Sequence, residues 1–342
     1  LSPSSSASDV YKRQVIDSVY RGVVLHYSKS GNLLRIDTIY MGSSTYLHDM
    51  DLRDDKIILV GQKGIGTASD LLIVALDTAG DTIWAKCIDK SGNSDAGWGI
   101  CYCNADTYVI TGYTGSNFYT LMLVDSSIIW ENTNHPGSGR DIIYGNLQLY
   151  ACGKFEITTN NDAFLLLNYN YNGIIVNGDT IDTTSEDEAY ALIQYENNIY
   201  ATGYIKPSTD AVCYTVKYDF NLDTLWSREF DRAGGDYGYS IYCKGKYVYV
   251  AGKTQTVTRG YDILLLQYDT LGNLIFCDSL DFGEDEEAHG IIVDDSFNIY
   301  MCGYKGAIYT DIFVLKLEPV PEIAVSDTFH DFGEVKINDT SK

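Results

Sequence analysis

Residues 237–279 contain four short runs: YGYSIYC (237–243), KYVYVAGK (246–253), YDILLLQYD (261–269) and NLIFCDS (273–279). Each run is rich in Tyr, Val, Ile or Leu, and Gly, Asn, Asp, Ser and Thr fall between them, a pattern typical of short β-strands joined by turns. We name the four strands A to D in chain order. Strand C is apolar throughout residues 263–266, which predicts a strand buried on both faces.

The same four-run unit recurs along the chain. In each unit strand B carries a glycine, named here the column glycine, and these glycines stand 41 to 51 residues apart: Gly61, Gly112, Gly153, Gly203, Gly252 and Gly303. Four antiparallel strands repeated at this period predict a β-propeller, in which each unit is one blade and strand A is innermost. No segment keeps a helical apolar period for three turns, so we expect an all-β protein.

The strand count indicates the number of blades. The chain begins with a C and D pair, continues with five complete units and ends with strands A, B and C, which makes 25 strands. Seven four-stranded blades need three more, and all three would lie immediately upstream of the first run. We therefore predict seven blades with an incomplete first blade. A six-bladed ring is the second choice, because it would leave one strand unused.

Both ends of the chain depart from the repeat. Residues 1–14, LSPSSSASDVYKRQ, are Ser-rich without a strand pattern and resemble translated adapter sequence, so we treat them as a non-native or linker segment. The propeller is expected over 15–318. Residues 319–342 start with two prolines and contain PEIAVSDTFHDFGEVKINDTSK, which resembles the first strands of Hydin-type immunoglobulin-like domains. A truncated domain of this kind implies further domains of the same chain downstream.

The repeats resemble the bacterial SBBP-type β-propeller family over nearly all of residues 15–318. The shared pattern is an acidic loop, a small residue, Gly-Ile, Asn-Ile-Tyr, Gly-Tyr, then Asp and a Leu-rich run, seen whole in 286–303 with 311–317. The third four-strand repeat departs from this pattern, with Phe118 where Asp is usual. The resemblance implies a secreted or surface protein from a large modular chain, and no shared enzymatic activity.

Composition and cysteine placement exclude several classes of function. With 47 acidic and 24 basic residues the net charge is −23, which repels nucleic acid and anionic membranes. No apolar run approaches 18 residues, so direct membrane insertion is not expected. Cys103 and Cys243 occupy the same register position three blades apart, as do Cys152 and Cys302, and such separations exceed the reach of a disulfide. We expect free thiols, no cofactor and no metal site.

An aromatic register position on strand D raises one enzymatic alternative. Its members are Trp84, Trp130, Trp226 and Phe276. The runs around Trp84 and Trp226 resemble the tryptophan-bearing strands of pyrroloquinoline-quinone propellers, which leaves a quinone-dependent enzyme open. The shared register favours packing between neighbouring blades instead.

A second register position does not have the character of core packing. It lies at the entry of strand A, 13 or 14 residues before each column glycine, and we call its members the strand-A column: His48, Trp98, Arg140, Tyr190, Tyr239 and His289. Small residues flank these large polar or aromatic side chains. Because strand A lines the channel of a propeller, the column is expected to ring the channel mouth, surrounded by acidic D–A loops.

These observations predict a non-catalytic interaction module that binds a protein or a glycan at the strand-A column, in an extracellular or cell-surface setting. A quinone-dependent or glycan-cleaving enzyme and a purely structural spacer are the alternatives. If the protein is a structural spacer, the strand-A column only fills the channel.

Overall fold

The computed structural model describes residues 9–16, 19–28, 32–53, 56–66, 69–90, 92–104, 106–232, 234–256, 260–306, 311–318 and 329–331. All regular structure in these ranges is antiparallel β-sheet, and none of them contains an α-helix. The chain forms two compact units, one of residues 1–194 with 220–222 and one of residues 195–219 with 223–342.

The first unit contains sheets of three, four and seven strands. The three-stranded sheet has β1 (Asp9–Ile16), β2 (Val19–Tyr27) and β3 (Leu33–Ile39). The four-stranded sheet has β4 (Thr45–Arg53), β5 (Lys56–Lys63), β6 (Asp70–Asp77) and β7 (Thr82–Ile88). The seven-stranded sheet has β8 (Asp95–Asn104), β9 (Thr107–Thr114), β10 (Asn117–Val124), β11 (Ser127–Gly145), β12 (Gln148–Thr158), β13 (Asn161–Tyr169) and β14 (Ile175–Ile181). Strand β15 (Glu188–Tyr195) ends at the unit boundary.

The second unit continues the same pattern. Strands β16 (Asn198–Ile205), β17 (Val212–Tyr218) and β18 (Thr224–Phe230) pair in that order. A four-stranded sheet follows, with β19 (Asp236–Lys244), β20 (Tyr247–Thr256), β21 (Gly260–Asp269) and β22 (Leu274–Leu280). The last sheet has β23 (Glu286–Val293), β24 (Ile299–Lys305), β25 (Asp311–Leu317) and β26 (Phe329–Asp331). Within each sheet sequential strands are neighbours, as in a propeller blade, and the all-β propeller prediction is confirmed.

The seven-stranded sheet is two blades that share one strand. The first half of β11 pairs with β10 as a D strand, and from Gly137 onward β11 pairs with β12 as the A strand of the next blade. In other blades these strands are separate, as with β7, which ends at Ile88, and β8, which begins at Asp95. The missing loop, together with shorter hairpins, explains why Gly112 and Gly153 are only 41 residues apart in the sequence.

The two ends of the chain differ from the sequence-based expectation. Residues 1–14 show no strand pattern in the sequence, but Asp9–Ile16 pairs along its whole length with β2, whose residues Val23, Val24 and Leu25 are buried. Without β1, the backbone N–H and C=O groups along one edge of the buried strand β2 would have no partners. The pairing therefore outweighs the weak strand propensity of residues 9–16. At the other end, Phe329–Asp331 of the expected immunoglobulin-like start pairs with β25. The rest of 319–342 lies outside the described residues.

Strand C forms the core of each blade. Leu71–Leu76 of β6 are fully buried, and in β21 the run Ile263–Leu266 is at most 2% exposed. Outer strands such as β7 consist mostly of exposed and half-buried side chains. The prediction of a strand C buried on both faces is therefore confirmed.

The aromatic position on strand D packs between blades. Trp130 Nε1 donates to the Tyr171 carbonyl at 3.1 Å, and Trp226 Nε1 donates to the Thr270 carbonyl at 3.1 Å. In both cases the acceptor belongs to the C–D turn of the next blade. A Cβ on the turn residue Gly272 would lie 2.8 Å from the Trp226 ring, and this glycine has φ +84°. Both the close contact and the left-handed backbone conformation therefore require glycine.

All eight cysteines carry free thiols. Four of them, Cys101, Cys152, Cys213 and Cys243, are buried, and burial raises the pKa of the Cys213 thiol to about 12. Such thiols behave as small apolar side chains. Among the described residues, no helix has the length and apolar character needed to cross a membrane.

Candidate functional site

Five of the six members of the strand-A column are each the extra residue of a β-bulge. In β8, Gly97 pairs with Gly112 and Gly99 pairs with Thr111, so Trp98 between them has no partner on β9. The same shift in register occurs at the other bulged positions: His48, Arg140, Tyr239 and His289. A bulge re-aims the side chain of its extra residue, which is why these residues are partly or fully exposed while the residue before each of them is buried.

The bulge also explains the column glycines. A Cβ built on Gly112 would lie 1.9 Å from the carbonyl oxygen of Ala96, two residues before Trp98. The corresponding distance to a carbonyl oxygen of the facing strand A is 1.8–2.0 Å at four more column glycines: Gly61, Gly153, Gly252 and Gly303. The obstacle is backbone in every case, so the glycine and the bulge opposite it form one structural element.

In the first unit the column forms a continuous stack. The rings of His48 and Trp98 are parallel within 15°, with centroids 3.9 Å apart. The Arg140 guanidinium carbon lies 4.4 Å from the Trp98 ring centroid and 5.2 Å from that of Tyr190. Two groups this close to one ring must occupy opposite faces, so Trp98 is covered on both faces by His48 and Arg140.

A buried carboxylate fixes the cation in this stack. Arg140 Nε donates to Glu188 Oε1 at 2.6 Å, with the two side chains 19% and 5% exposed. Glu188 opens β15, two residues before Tyr190. The guanidinium is thus held by a charged hydrogen bond at its edge while aromatic rings cover its plane, an arrangement that arginine makes better than lysine.

The second unit contains an equivalent cluster of different composition. The His289 ring stacks on Tyr239 at 4.7 Å and 8°, and on Tyr304 at 4.7 Å and 24°. Glu287 accepts hydrogen bonds from Lys253 Nζ at 2.7 Å and from the Tyr304 hydroxyl at 3.1 Å, and lies 3.2 Å from His289 Nε2. Burial alone would raise the pKa of Glu287, but the hydrogen bonds from His289 and Lys253 outweigh it and lower the pKa to about 2.

The sequence predicts acidic D–A loops around the column, with seven acids: Asp95, Glu186, Asp187, Asp236, Glu284, Asp285 and Glu286. Four of these seven are at most 1% exposed: Asp95, Asp187, Asp236 and Glu286. Their carboxylates accept hydrogen bonds from backbone N–H groups of their own loop, as from Lys90 to Asp95 at 2.7 Å. These acids therefore organise the D–A loops from inside, where backbone N–H groups that water does not reach need an acceptor.

Two aspartates next to the column join neighbouring blades of the first unit. Asp49 Oδ2 accepts from Ile100 N at 2.8 Å, and Asp141 Oδ2 accepts from Leu192 N at 2.7 Å. Burial raises the pKa of Asp141 to about 6. Burial and then the charge of Asp141 raise the pKa of Asp49 well above its ordinary value. The pair carries less than two negative charges in mildly acidic solution.

We expect Asp141→Asn to change how stability depends on pH. Because the pKa of Asp141 is higher in the folded chain, its protonation stabilises the fold at low pH, and this contribution is lost as pH rises from about 4 through about 6. Asp141→Asn has no such titration. The difference in free energy of unfolding, variant minus wild type, should therefore increase by roughly 2–3 kcal/mol from pH 4 to pH 7. Urea denaturation at both pH values measures this.

The matched control is Asp269→Asn, in a C–D turn. Hydrogen bonds from the Asn273 side chain and from turn backbone lower the pKa of Asp269. Its ionised form therefore stabilises the fold at neutral pH, and this stabilisation is lost as the pH falls. Relative to wild type this variant should lose stability at pH 7. A difference between Asp141→Asn and wild type that is the same at pH 4 and pH 7 would contradict the shifted titration.

The structure brings the sequence-predicted residues together within each unit. His48, Trp98, Arg140 and Tyr190 form the stack, and Tyr239 contacts His289. Sequence reasoning missed Glu188, Glu287 and Lys253. The signal available in the sequence was the two-residue period of a β-strand. Glu188 stands two residues before Tyr190, and Glu287 stands two residues before His289.

Comparison with known proteins supports the fold and goes no further. No protein-family model matches the sequence, and no curated protein matches it. A 6-phosphogluconolactonase-like protein from Bacteroides uniformis is similar in structure, with TM-score 0.59, 10% identity and coverage of 91% of this chain and 92% of that one. Sqt1 from Chaetomium thermophilum gives 0.57 and 12%, covering 91% and 78%. The β-propeller domain of the Trilobed protease from Pyrococcus furiosus gives 0.48 and 10%, covering 81% and 82%. At these identities the likeness concerns the fold alone.

Proposed function

We propose that this chain is a non-catalytic β-propeller interaction module of a secreted or cell-surface multidomain protein, related to the SBBP-type repeats. The observation that carries the proposal is the bulge at the strand-A column. Each of the five column bulges presents a large polar or aromatic side chain directly after a buried residue. Bulges with this effect recur next to functional sites.

The geometry favours a protein ligand over a glycan. Sugar rings stack on an open aromatic face, but Trp98 is covered by His48 and Arg140, and His289 lies between Tyr239 and Tyr304. What remains accessible is ring edges and polar tips held in fixed positions by Glu188 and Glu287. Rigid aromatic and arginine groups of this kind are the side chains that anchor protein interfaces.

A polar atom inside the first stack supports a role beyond filling space. The Trp98 indole Nε1 is buried and has no hydrogen-bond partner among the described residues. A buried donor left unpaired costs about 1–3 kcal/mol. An apolar side chain would fill the same position without that cost, so a pure spacer gains nothing from tryptophan here.

The proposal is tested with a phage-displayed random peptide library selected on the full chain, and with a glycan array in parallel. Binding of the selected peptides is then measured for Trp98→Ala, Tyr239→Ala and the control Thr270→Ala in an exposed C–D turn. We expect about 30-fold weaker binding, on the order of 2 kcal/mol, for the column variant of the unit that binds, and no change for the control.

Two outcomes would overturn the proposal. If peptides bind and both column variants bind them as wild type does, the stacks are plugs and the ligand lies on the blade edges. If neither peptides nor glycans bind, the spacer alternative stands. Circular dichroism of each variant confirms that the fold is retained.

A further inference from the structure

Three carboxylates converge where the last two sheets of the second unit meet. Asp262 lies in β21, Asp281 directly follows β22, and Glu286 opens β23 of the next sheet. One oxygen from each lies within 4.8 Å of the others. Three oxygens at this limit lie about 2.8 Å from a common centre, slightly more than the 2.3–2.6 Å of calcium–oxygen bonds, so a small inward movement places the triad in one calcium coordination sphere.

Two of these carboxylates are buried, and one oxygen of each accepts no hydrogen bond from the described residues. Asp262 is 4% exposed and Glu286 0%, and Asp262 Oδ1 and Glu286 Oε2 have no hydrogen-bond partner among the described residues. The other oxygen of Glu286 accepts from Glu284 N at 2.9 Å, which leaves Oε2 for the triad. Buried carboxylate oxygens are normally satisfied, so two orphans in one cluster indicate a missing positive partner.

The surrounding charges do not supply that partner. Burial and the charge of Asp281 raise the pKa of both Asp262 and Glu286. Arg232 is near enough to lower the pKa of Asp262, but its guanidinium donates to Ser279 Oγ at 3.2 Å and contacts Cys277. Within the described part of the chain no lysine, arginine or histidine forms an ion pair with the triad.

Register comparison shows what is particular to this corner. The residue that takes the place of Asp262 is Asp70 in the second blade, Ala163 in the fourth and Val212 in the fifth. Asp70 pairs across the sheet with Lys63, whereas Asp262 pairs with Thr254. Of these corners, only the one at Asp262 combines three acids with no basic residue opposite the strand-C acid, although Lys305 stands opposite Glu286 on β24.

We propose that Asp262, Asp281 and Glu286 bind a Ca²⁺ ion that joins the sheet of β19–β22 to the sheet of β23–β26. Carboxylate oxygens from loops and strand ends are the ligands that calcium takes, and the exposed Asp281 leaves one side open to water ligands. Its Oδ1 accepts from Gly283 N at 2.6 Å, so the loop holds Asp281 toward the triad. The affinity expected is that of extracellular modules, with a Kd of about 10⁻⁴–10⁻³ M.

The test is calorimetric titration of the EDTA-treated full chain with CaCl₂, together with thermal unfolding with and without millimolar CaCl₂. We expect one equivalent to bind and the Tm to rise by several degrees. Glu286→Gln and Asp262→Asn should abolish both effects while leaving the calcium-free Tm equal or higher, because each removes a buried repulsive charge. Two variants guard against a failure of either one to fold.

Asp236→Asn is the matched control. Asp236 occupies the position of Glu286 in the preceding blade and is equally buried, with an orphan Oδ1, but Val212 stands where Asp262 would be. Its calcium response should equal that of wild type. Absence of binding in wild type would overturn the proposal. An equal response in all variants would also overturn it, since that indicates diffuse binding to a chain of net charge −23. A response to MgCl₂ as large as to CaCl₂ would overturn the assignment to calcium.

Discussion

Gly112→Ala is expected to destabilise the fold by more than about 4 kcal/mol, which places it among the most damaging single substitutions. The added methyl would lie 1.9 Å from the Ala96 carbonyl oxygen and 2.9 Å from Gly97 Cα. Neither atom can move without opening the bulge that presents Trp98. Urea denaturation monitored by tryptophan fluorescence measures the loss, and an insoluble variant agrees with it.

Gly178→Ala is the control for that experiment. Gly178 lies in the outer strand β14, is exposed, and would place its Cβ 3.0 Å from the Leu166 carbonyl. A shift of a few tenths of an ångström relieves this contact, and alanine restricts the unfolded chain, so we expect a change within about 1 kcal/mol. Similar losses at Gly112 and Gly178 would show that strand glycines are generally required and that the bulge has no special role.

Glu188→Leu is expected to cost about 3 kcal/mol. Arg140 would keep its place between Trp98 and Tyr190 but lose the carboxylate at 2.6 Å, and an unpaired cation in a largely buried position is strongly unfavourable. The double variant Arg140→Met/Glu188→Leu should recover most of the loss, because an apolar pair of similar volume carries no desolvation cost.

A double-mutant cycle by urea denaturation provides the measurement, with a coupling energy of at least about 1.5 kcal/mol expected. Lys90→Met gives the comparison, since Lys90 pairs with Glu131 at the same 2.6 Å but the side chains are 34% and 40% exposed. Its effect should stay below about 1 kcal/mol. Additive single effects at Arg140 and Glu188 would mean that the stack holds the cation without its counter-charge.

Much of the fold could be predicted from the sequence because the repeat reports backbone geometry directly. The apolar strand C, the Asp-x-x-Gly turns and the column glycines each reflect a local constraint that recurs in every blade. Strand β1 could not be predicted in this way. Its pairing is imposed by the buried β2 beside it, a tertiary effect that local composition does not carry.

The candidate site was predictable as a set of positions but not as an arrangement. Register alone identifies His48, Trp98 and Arg140 as equivalent, but it does not reveal that they are bulged, stacked on one another and anchored by Glu188. A bulge shifts pairing by one residue, and sequence spacing cannot distinguish that shift from a loop one residue longer. The triad around Glu286 joins residues of two sheets, and only the structure brings them together.

Strand β11 has a consequence for how the first unit unfolds. Because Ser127–Gly145 is edge strand to one blade and inner strand to the next, neither blade can lose its hydrogen-bonded ladder without removing a strand from the other. Elsewhere a loop separates adjacent blades and permits each to open by itself. Residues 95–181 therefore make one cooperative block for hydrogen exchange, twice the size of an ordinary blade.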